Sequence, residues 1–139
     1  MAKTRNEVPT IETKRLVLRR KKDDDIPDMM KMFNDDEVRE FMGGHPPRDE
    51  RSITEMIRHR TETGWAVTLK DTGEYLGEIE ITDIVDGYVG GIGYMFLQEH
   101  WGKGFANEAI TAMIEFIAVL PESNFYGRVA DVAYYSRAL

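Results

Sequence analysis

Cysteine is absent from the 139 residues. Its absence excludes disulfides, thiolate metal ligands and a cysteine nucleophile, and it fits an intracellular chain. Histidine is scarce: His45, His59 and His100 stand far apart without ligand spacing, so no metal site is expected. No apolar run is long enough to span a bilayer, so no membrane partner is expected. The opening Met1-Ala2-Lys3-Thr4-Arg5-Asn6-Glu7 has no apolar segment behind its charges, unlike a secretory leader. Positive charge is in deficit. Against 25 Asp and Glu there are 18 Lys and Arg, a formal net charge of −7. That balance turns the chain away from nucleic acid and suits a cationic substrate such as an amine. Together these absences point to a cytoplasmic location.

A hydrophobic share of 42% with 31% charged residues suits one folded domain spanning 1–139, with 1–9 as a flexible lead ending at Pro9. Thr10 to Arg20 alternates enough to read as one strand, ended by Lys21 and Lys22. Asp23-Asp24-Asp25-Ile26-Pro27 is a helix start, an acidic cap with proline in the first turn. Ile26, Met29, Met30 and Phe33 follow at helical spacing. Asn34-Asp35-Asp36 interrupts, Glu37 to Met42 offers another short helix, and Gly43 to Pro47 is a loop. A third helix opens at Asp49 or Ser52 and carries Ile53, Met56 and Ile57 on one face. Three strands then form a meander: Trp65 to Lys70, Tyr75 to Thr82 and Tyr88 to Leu97. Asp71-Thr72-Gly73-Glu74 and Asp86-Gly87 are its turns. A long apolar helix runs from Phe105 to Leu120, and Phe125 to Ala133 reads as a last strand. This is an α+β layout.

The most informative stretch runs from Gly91 to Ala109. It reads as a strand, a turn bearing Gly102 and Gly104, and a helix start. Such a turn exposes unpaired N–H groups at the positive end of a helix dipole, which suits a phosphate or pyrophosphate. Read alone, a Gly-x-Gly is more often a tight turn without ligand. Gly90, Gly91 and Gly93 inside the preceding strand suggest a bulge.

Three passages resemble the GNAT family of N-acetyltransferases, in the branch of the RimJ/RimL-type ribosomal-protein acetyltransferases. They are Thr13-Lys14-Arg15-Leu16-Val17-Leu18-Arg19, Gly77-Glu78-Ile79-Glu80-Ile81, and Gly93-Tyr94-Met95-Phe96 with Trp101 to Ala109. The resemblance implies a mixed, mostly antiparallel central sheet with helices on both faces. It implies acetyl-CoA as co-substrate and no metal. The pyrophosphate would meet Trp101, Gly102, Lys103, Gly104, Phe105, Ala106 and Asn107. Trp101 departs from the family's usual Gln or Arg. Pantetheine would lie along Met95, Phe96 and Leu97, pairing with main chain like an added strand.

The implied reaction moves acetyl from acetyl-CoA to a primary amine: a protein N-terminus, a polyamine or an antibiotic-like amine. A carboxylate must take the ammonium proton before attack. Glu80 and Glu78 are the candidates, with Tyr94 orienting substrate; Glu99 and Asp131 are further carboxylates. Glu78 and Glu80 share one face, a pattern that solvent-exposed strands also show. The acidic Asp35, Asp36 and Glu37 would suit a cationic acceptor, although such residues more often form a solvated face. The resemblance also implies a further helix and two strands after Ala133, so the chain is expected to lack the fold's last elements. The corresponding expectations are a homodimer or strand exchange through an open edge. The alternative function is a truncated acyl-CoA-binding module without turnover.

Overall fold

Alternation builds the sheet here, and helical spacing builds its two covers. The computed structural model describes residues 8–59, 64–85 and 88–118. In chain order the elements are β1 (Ile11–Glu12), β2 (Leu16–Arg19), α1 (Ile26–Asn34), α2 (Asp36–Phe41), α3 (Glu50–His59), β3 (Gly64–Leu69), β4 (Tyr75–Val85), β5 (Tyr88–Phe96) and α4 (Phe105–Ala118). The strands form one antiparallel sheet in the order β1-β2-β3-β4-β5. Short 3-10 turns at Asp23–Asp25 and Gln98–His100 lead into α1 and follow β5. The expected turn at Asp86-Gly87, the strand Phe125 to Ala133, Asp131 and the chain's end lie outside the described residues.

One sheet face carries Leu16, Leu18, Trp65, Val67, Ile79, Ile81 and Phe96. It packs against a stripe of α4 formed by Phe105, Ala109, Ile110, Met113 and Ile114. The other face meets α1–α3 through Met29, Met32, Phe33, Val38, Ile53 and Ile57, which pack with Ala66, Tyr75, Met95 and Leu97. Complete burial of a side chain such as Leu16 or Ile79 stabilises by about 1.5–3 kcal/mol. A bulge sets the phase of β4. Val67 pairs with Gly77 and Thr68 with Tyr75, so Leu76 is the extra residue. Leu76 thereby joins the α4 face, while Tyr75 and Glu78 turn to the helices on the other side.

Thr10 to Arg20 is two strands, not one. Ile11 pairs with Leu18 and Glu12 with Val17 across a tight turn. Thr13 closes that turn: its N–H donates to the Leu16 carbonyl at 2.9 Å, and its hydroxyl accepts the Leu16 N–H at 2.9 Å. Val8 is buried, and the Pro9 carbonyl accepts a hydrogen bond from Trp65 Nε1 at 2.8 Å, so the chain is anchored from Val8 onward. Asp35 caps α2 by accepting from the N–H groups of Glu37 and Val38. Asp49 caps α3 by accepting from Ser52. Asp25 is not a solvated helix cap. It is buried and takes two hydrogen bonds from the Arg19 guanidinium, at 2.8 and 2.9 Å.

The bulge expected at the glycines of β5 falls at Gly90 and Gly91. The β4–β5 register slips around Asp83, opposite Gly91 and Val89, whereas Gly93 pairs in register with Glu80. From Ile81–Ile92 to Gly77–Phe96 the ladder is regular.

Candidate functional site

The end of β5 and the start of α4 form the candidate site. Gly102 and Gly104 have φ of +77° and +81°, conformations that strain residues with a side chain. They turn the chain from the Gln98–His100 segment into Phe105, the first residue of α4. Beside this loop opens a cavity of about 280 Å³. From the loop and helix it is lined by Trp101, Gly102, Gly104, Phe105, Ala106 and Asn107; from β5, by Tyr94, Met95 and Phe96. Val38, Phe41 and Met42 at the α2 end and His100 complete its wall. Of the residues expected at a cofactor, Leu97 and Lys103 are not part of the lining.

β5 is an edge strand among the described residues, β1 being the other. The Leu97 N–H donates inward, to the Leu76 carbonyl at 2.9 Å. The Phe96 carbonyl turns the other way and accepts from Trp101 Nε1 at 2.8 Å. Antiparallel alternation then directs the main-chain groups of Phe96 and Tyr94 away from β4, toward the cavity side. Trp101, 37% exposed, also packs against Phe41 in a tilted arrangement with ring centroids 5.4 Å apart. Its indole is thus occupied in joining the loop to β5 and α2, which accounts physically for an aromatic residue at this position.

The catalytic candidates separate. Tyr94 borders the cavity and is 38% exposed. Glu78 and Glu80 lie outside the lining; their cross-strand partners are Met95 and Gly93, so they share the sheet face of Met95 and point away from that of Tyr94. Glu78 is 4% exposed, so it is not part of a solvated edge. Lys21 is equally buried, rather than a solvated strand terminator, and its Nζ lies 3.3 Å from Glu78 Oε1. That separation is an ion pair, but the angles miss hydrogen-bond geometry, so Oε1 accepts no hydrogen bond among the described residues. The neighbouring Tyr75 hydroxyl is also buried, without a hydrogen-bond partner among the described residues. Burial, with the charges of Glu78 and Asp25, pushes its pKa well above 10.0, so it stays protonated. Glu99 is exposed and paired with Lys31 at 2.7 Å.

Thr13 and Arg15 join Glu108, far from them in the chain, behind the loop. Glu108 accepts from Thr13 Oγ1 at 2.6 Å, from the Arg15 N–H at 3.0 Å and from Arg15 Nε at 2.7 Å. Arg15 Nη1 donates to the Lys103 carbonyl at 3.1 Å, and its guanidinium lies over the Phe105 ring, 4.5 Å from the centroid. Burial pushes the Glu108 carboxyl upward, but the Thr13 and Arg15 hydrogen bonds outweigh it and leave the pKa below 4.5. On the cavity side, His100 Nε2 approaches Glu74 Oε2 at 3.2 Å and Glu99 Oε2 at 3.9 Å. These three could face a cation together, but Lys31 already holds the other oxygen of Glu99.

The family described as Acetyltransferase (GNAT) domain matches residues 15–132. The chain belongs to this family. YkkB of Bacillus subtilis is 37% identical over 94 residues, which cover 61% of this chain and 54% of YkkB. The N-acetyltransferase YoaA of the same organism is 29% identical over 116 residues, covering 78% of this chain and 66% of YoaA. A GNAT-family acetyltransferase structure from Bacillus anthracis superposes with a TM-score of 0.69 at 20% identity, over 78% of this chain and 65% of that one. The chain thus spans between about half and two thirds of the length of these relatives. The GNAT fold of the sheet and its helices is shared with the solved structure.

Acetyl-CoA is the co-substrate that the GNAT fold implies, and the residues present fit it. An added Cβ at Gly102 would meet nothing within 4 Å, so the loop backbone is open to close approach. Successive N–H groups at a helix start suit a pyrophosphate. The outward main-chain groups of β5 suit a pantetheine arm, whose amides pair like a strand.

Proposed function

We propose that this chain transfers acetyl from acetyl-CoA to a primary amine, and that its branch is the RimJ/RimL type. The observation that carries the reading is the conjunction of two features at one cavity: a helix-start loop with two left-handed glycines, and an edge strand with outward main-chain groups. The loop from Trp101 to Asn107 takes the pyrophosphate, and Tyr94 to Phe96 lie along pantetheine. The bound thioester supplies an activated acyl carbon. Fixing donor and amine side by side supplies much of the rate.

We assign proton removal from the amine to Glu80. It is partly exposed, and its cross-strand partner is Gly93, which puts no side chain between the carboxylate and the β5 edge. Glu78, buried with Lys21, supports that face electrostatically, and Tyr94 orients substrate at the cavity. The acceptor class is a peptide N-terminus or a small amine, which the acidic net charge favours as a cation.

The test is thiol release from acetyl-CoA with a panel of N-terminal peptides, polyamines and aminoglycoside-type amines. Release with at least one acceptor, lowered by about 10²-fold or more in E80Q, is the expected result. A folded protein that releases no thiol with any acceptor overturns the transferase reading. If such a protein still binds CoA, the second reading stands: an acyl-CoA-binding module. That reading draws on the lining of the cavity, where Tyr94 and His100 are the only titratable side chains among the described residues.

A further inference from the structure

We infer that Arg15 is a positioning residue that fixes the orientation of the main-chain anion cradle at the start of α4. The inference rests on the cofactor reading above and deepens it. Arg15 belongs to the turn between β1 and β2, 88 positions before the carbonyl it holds. Its side chain contacts the cradle at three levels: Nη1 at the Lys103 carbonyl, the guanidinium plane at the Phe105 ring, and Nε at the Glu108 carboxylate. Thr13 and the Arg15 N–H hold the second oxygen of Glu108, so the carboxylate that orients the guanidinium is itself fixed.

The consequence follows from peptide geometry. In a planar trans peptide the C=O and the following N–H point in opposite directions. The Lys103 carbonyl is turned back toward Arg15, so the Gly104 N–H of the same peptide is turned away from Arg15. Gly104 lines the cavity, and that is the direction an anion requires. Lys103 stands between two glycines with positive φ, where the backbone has the least intrinsic preference. Without Arg15 this peptide is free to rotate, and a rotated peptide presents a carbonyl oxygen to a phosphate. The guanidinium also lies directly behind the turn, since a Cβ added at Gly104 would stand 3.5 Å from Arg15 Nη2. One planar fork serves Glu108 and Lys103 together, a task that a lysine ammonium, a single point of charge, does not reproduce.

Calorimetric titration with CoA, run below the melting temperature of each variant, tests this. Wild type, R15M, R15K, E108Q and R15M/E108Q are compared. The expected result is full stoichiometry in every variant, with Kd raised about tenfold in R15M and in R15K, the order of one charge-assisted hydrogen bond. The double variant binds no more weakly than R15M, because both residues act through one clamp. A purely structural role gives a different signature: fewer binding sites at unchanged Kd, with R15K recovering them. That signature, or a Kd within about twofold of wild type in both R15M and R15K, overturns the inference while leaving the cofactor reading in place. R15K carries the test should R15M fail to fold. Failure of folded wild type to bind CoA overturns the cofactor reading and the clamp with it.

Discussion

Gly77 is in direct contact with the strand that borders the cavity, and Gly77→Ala measures how closely β4 and β5 approach there. Gly77 pairs with Phe96. A Cβ at this position would overlap the Met95 carbonyl oxygen and would stand 2.7 Å from Phe96 Cα and 2.8 Å from Phe96 Cγ. Ordinary van der Waals contact begins near 3.4 Å. Two of these three atoms are backbone, so rotamer change does not relieve the overlap. β5 must retreat by about 1 Å, as overpacked cores do at a cost of about 1–3 kcal/mol. For a domain of this size that corresponds to a fall of about 5–15 °C in Tm. The displaced atoms are those of Met95 and Phe96, so the same variant should bind CoA more weakly than its stability loss alone explains. Differential scanning calorimetry gives the first quantity and CoA titration of the folded variant gives the second. A Tm within about 2 °C of wild type would show that the strands have slack here and would refute the packing argument.

The Lys21–Glu78 pair sets a second expectation. Lys21→Met leaves a buried carboxylate without its partner and should destabilise by about 3–5 kcal/mol in chemical denaturation, whereas K21M/E78M recovers most of that loss. No recovery in the double variant would mean that the pair is not coupled. Glu108 predicts an acid-limb effect. Its folded pKa is lowered below 4.5, so its contribution is complete above the unfolded value and is lost as pH falls through the folded one. The stability gap between wild type and E108Q should therefore be constant above about pH 5 and narrow below it. A gap that stays constant down to about pH 3 would contradict the assigned hydrogen bonds.

The sheet and its covers were largely legible because they rest on periodicity. Alternation located β3 and β4, the turn signals after them located β5, helical spacing located Ile53 and Ile57 on α3, and a long apolar run located α4. The loop at Gly102 and Gly104 was legible because positive φ selects glycine. The β1–β2 hairpin was not, because its turn is closed by the Thr13 hydroxyl in place of a glycine or proline signal. The burial of Lys21 and Glu78 was hidden for a related reason. Alternation says that Glu78 and Glu80 share a face, but it does not say which face is dry, and charged residues default to the wet one. The Thr13–Arg15–Glu108 group joins residues more than 90 positions apart, and no local pattern carries a contact of that range.

The treatment of the β5 edge links these observations to function. An edge strand with unpaired main-chain groups invites pairing with another chain. Here the Phe96 carbonyl is taken by the Trp101 indole, which removes one acceptor from the edge. The adjacent outward groups of Tyr94 have no such cover assigned by alternation. Under the proposed reading, the indole therefore sets where strand-like pairing with pantetheine stops: it begins on the Tyr94 side and gives way to the helix-start cradle at Trp101. The same residue that departs from the family's usual Gln or Arg then has a positive role. It exchanges a side-chain contact with the pyrophosphate for a fixed corner between the edge strand and the loop. The anion is left to main-chain N–H groups, and their direction depends on Arg15 acting on the Lys103 carbonyl from behind.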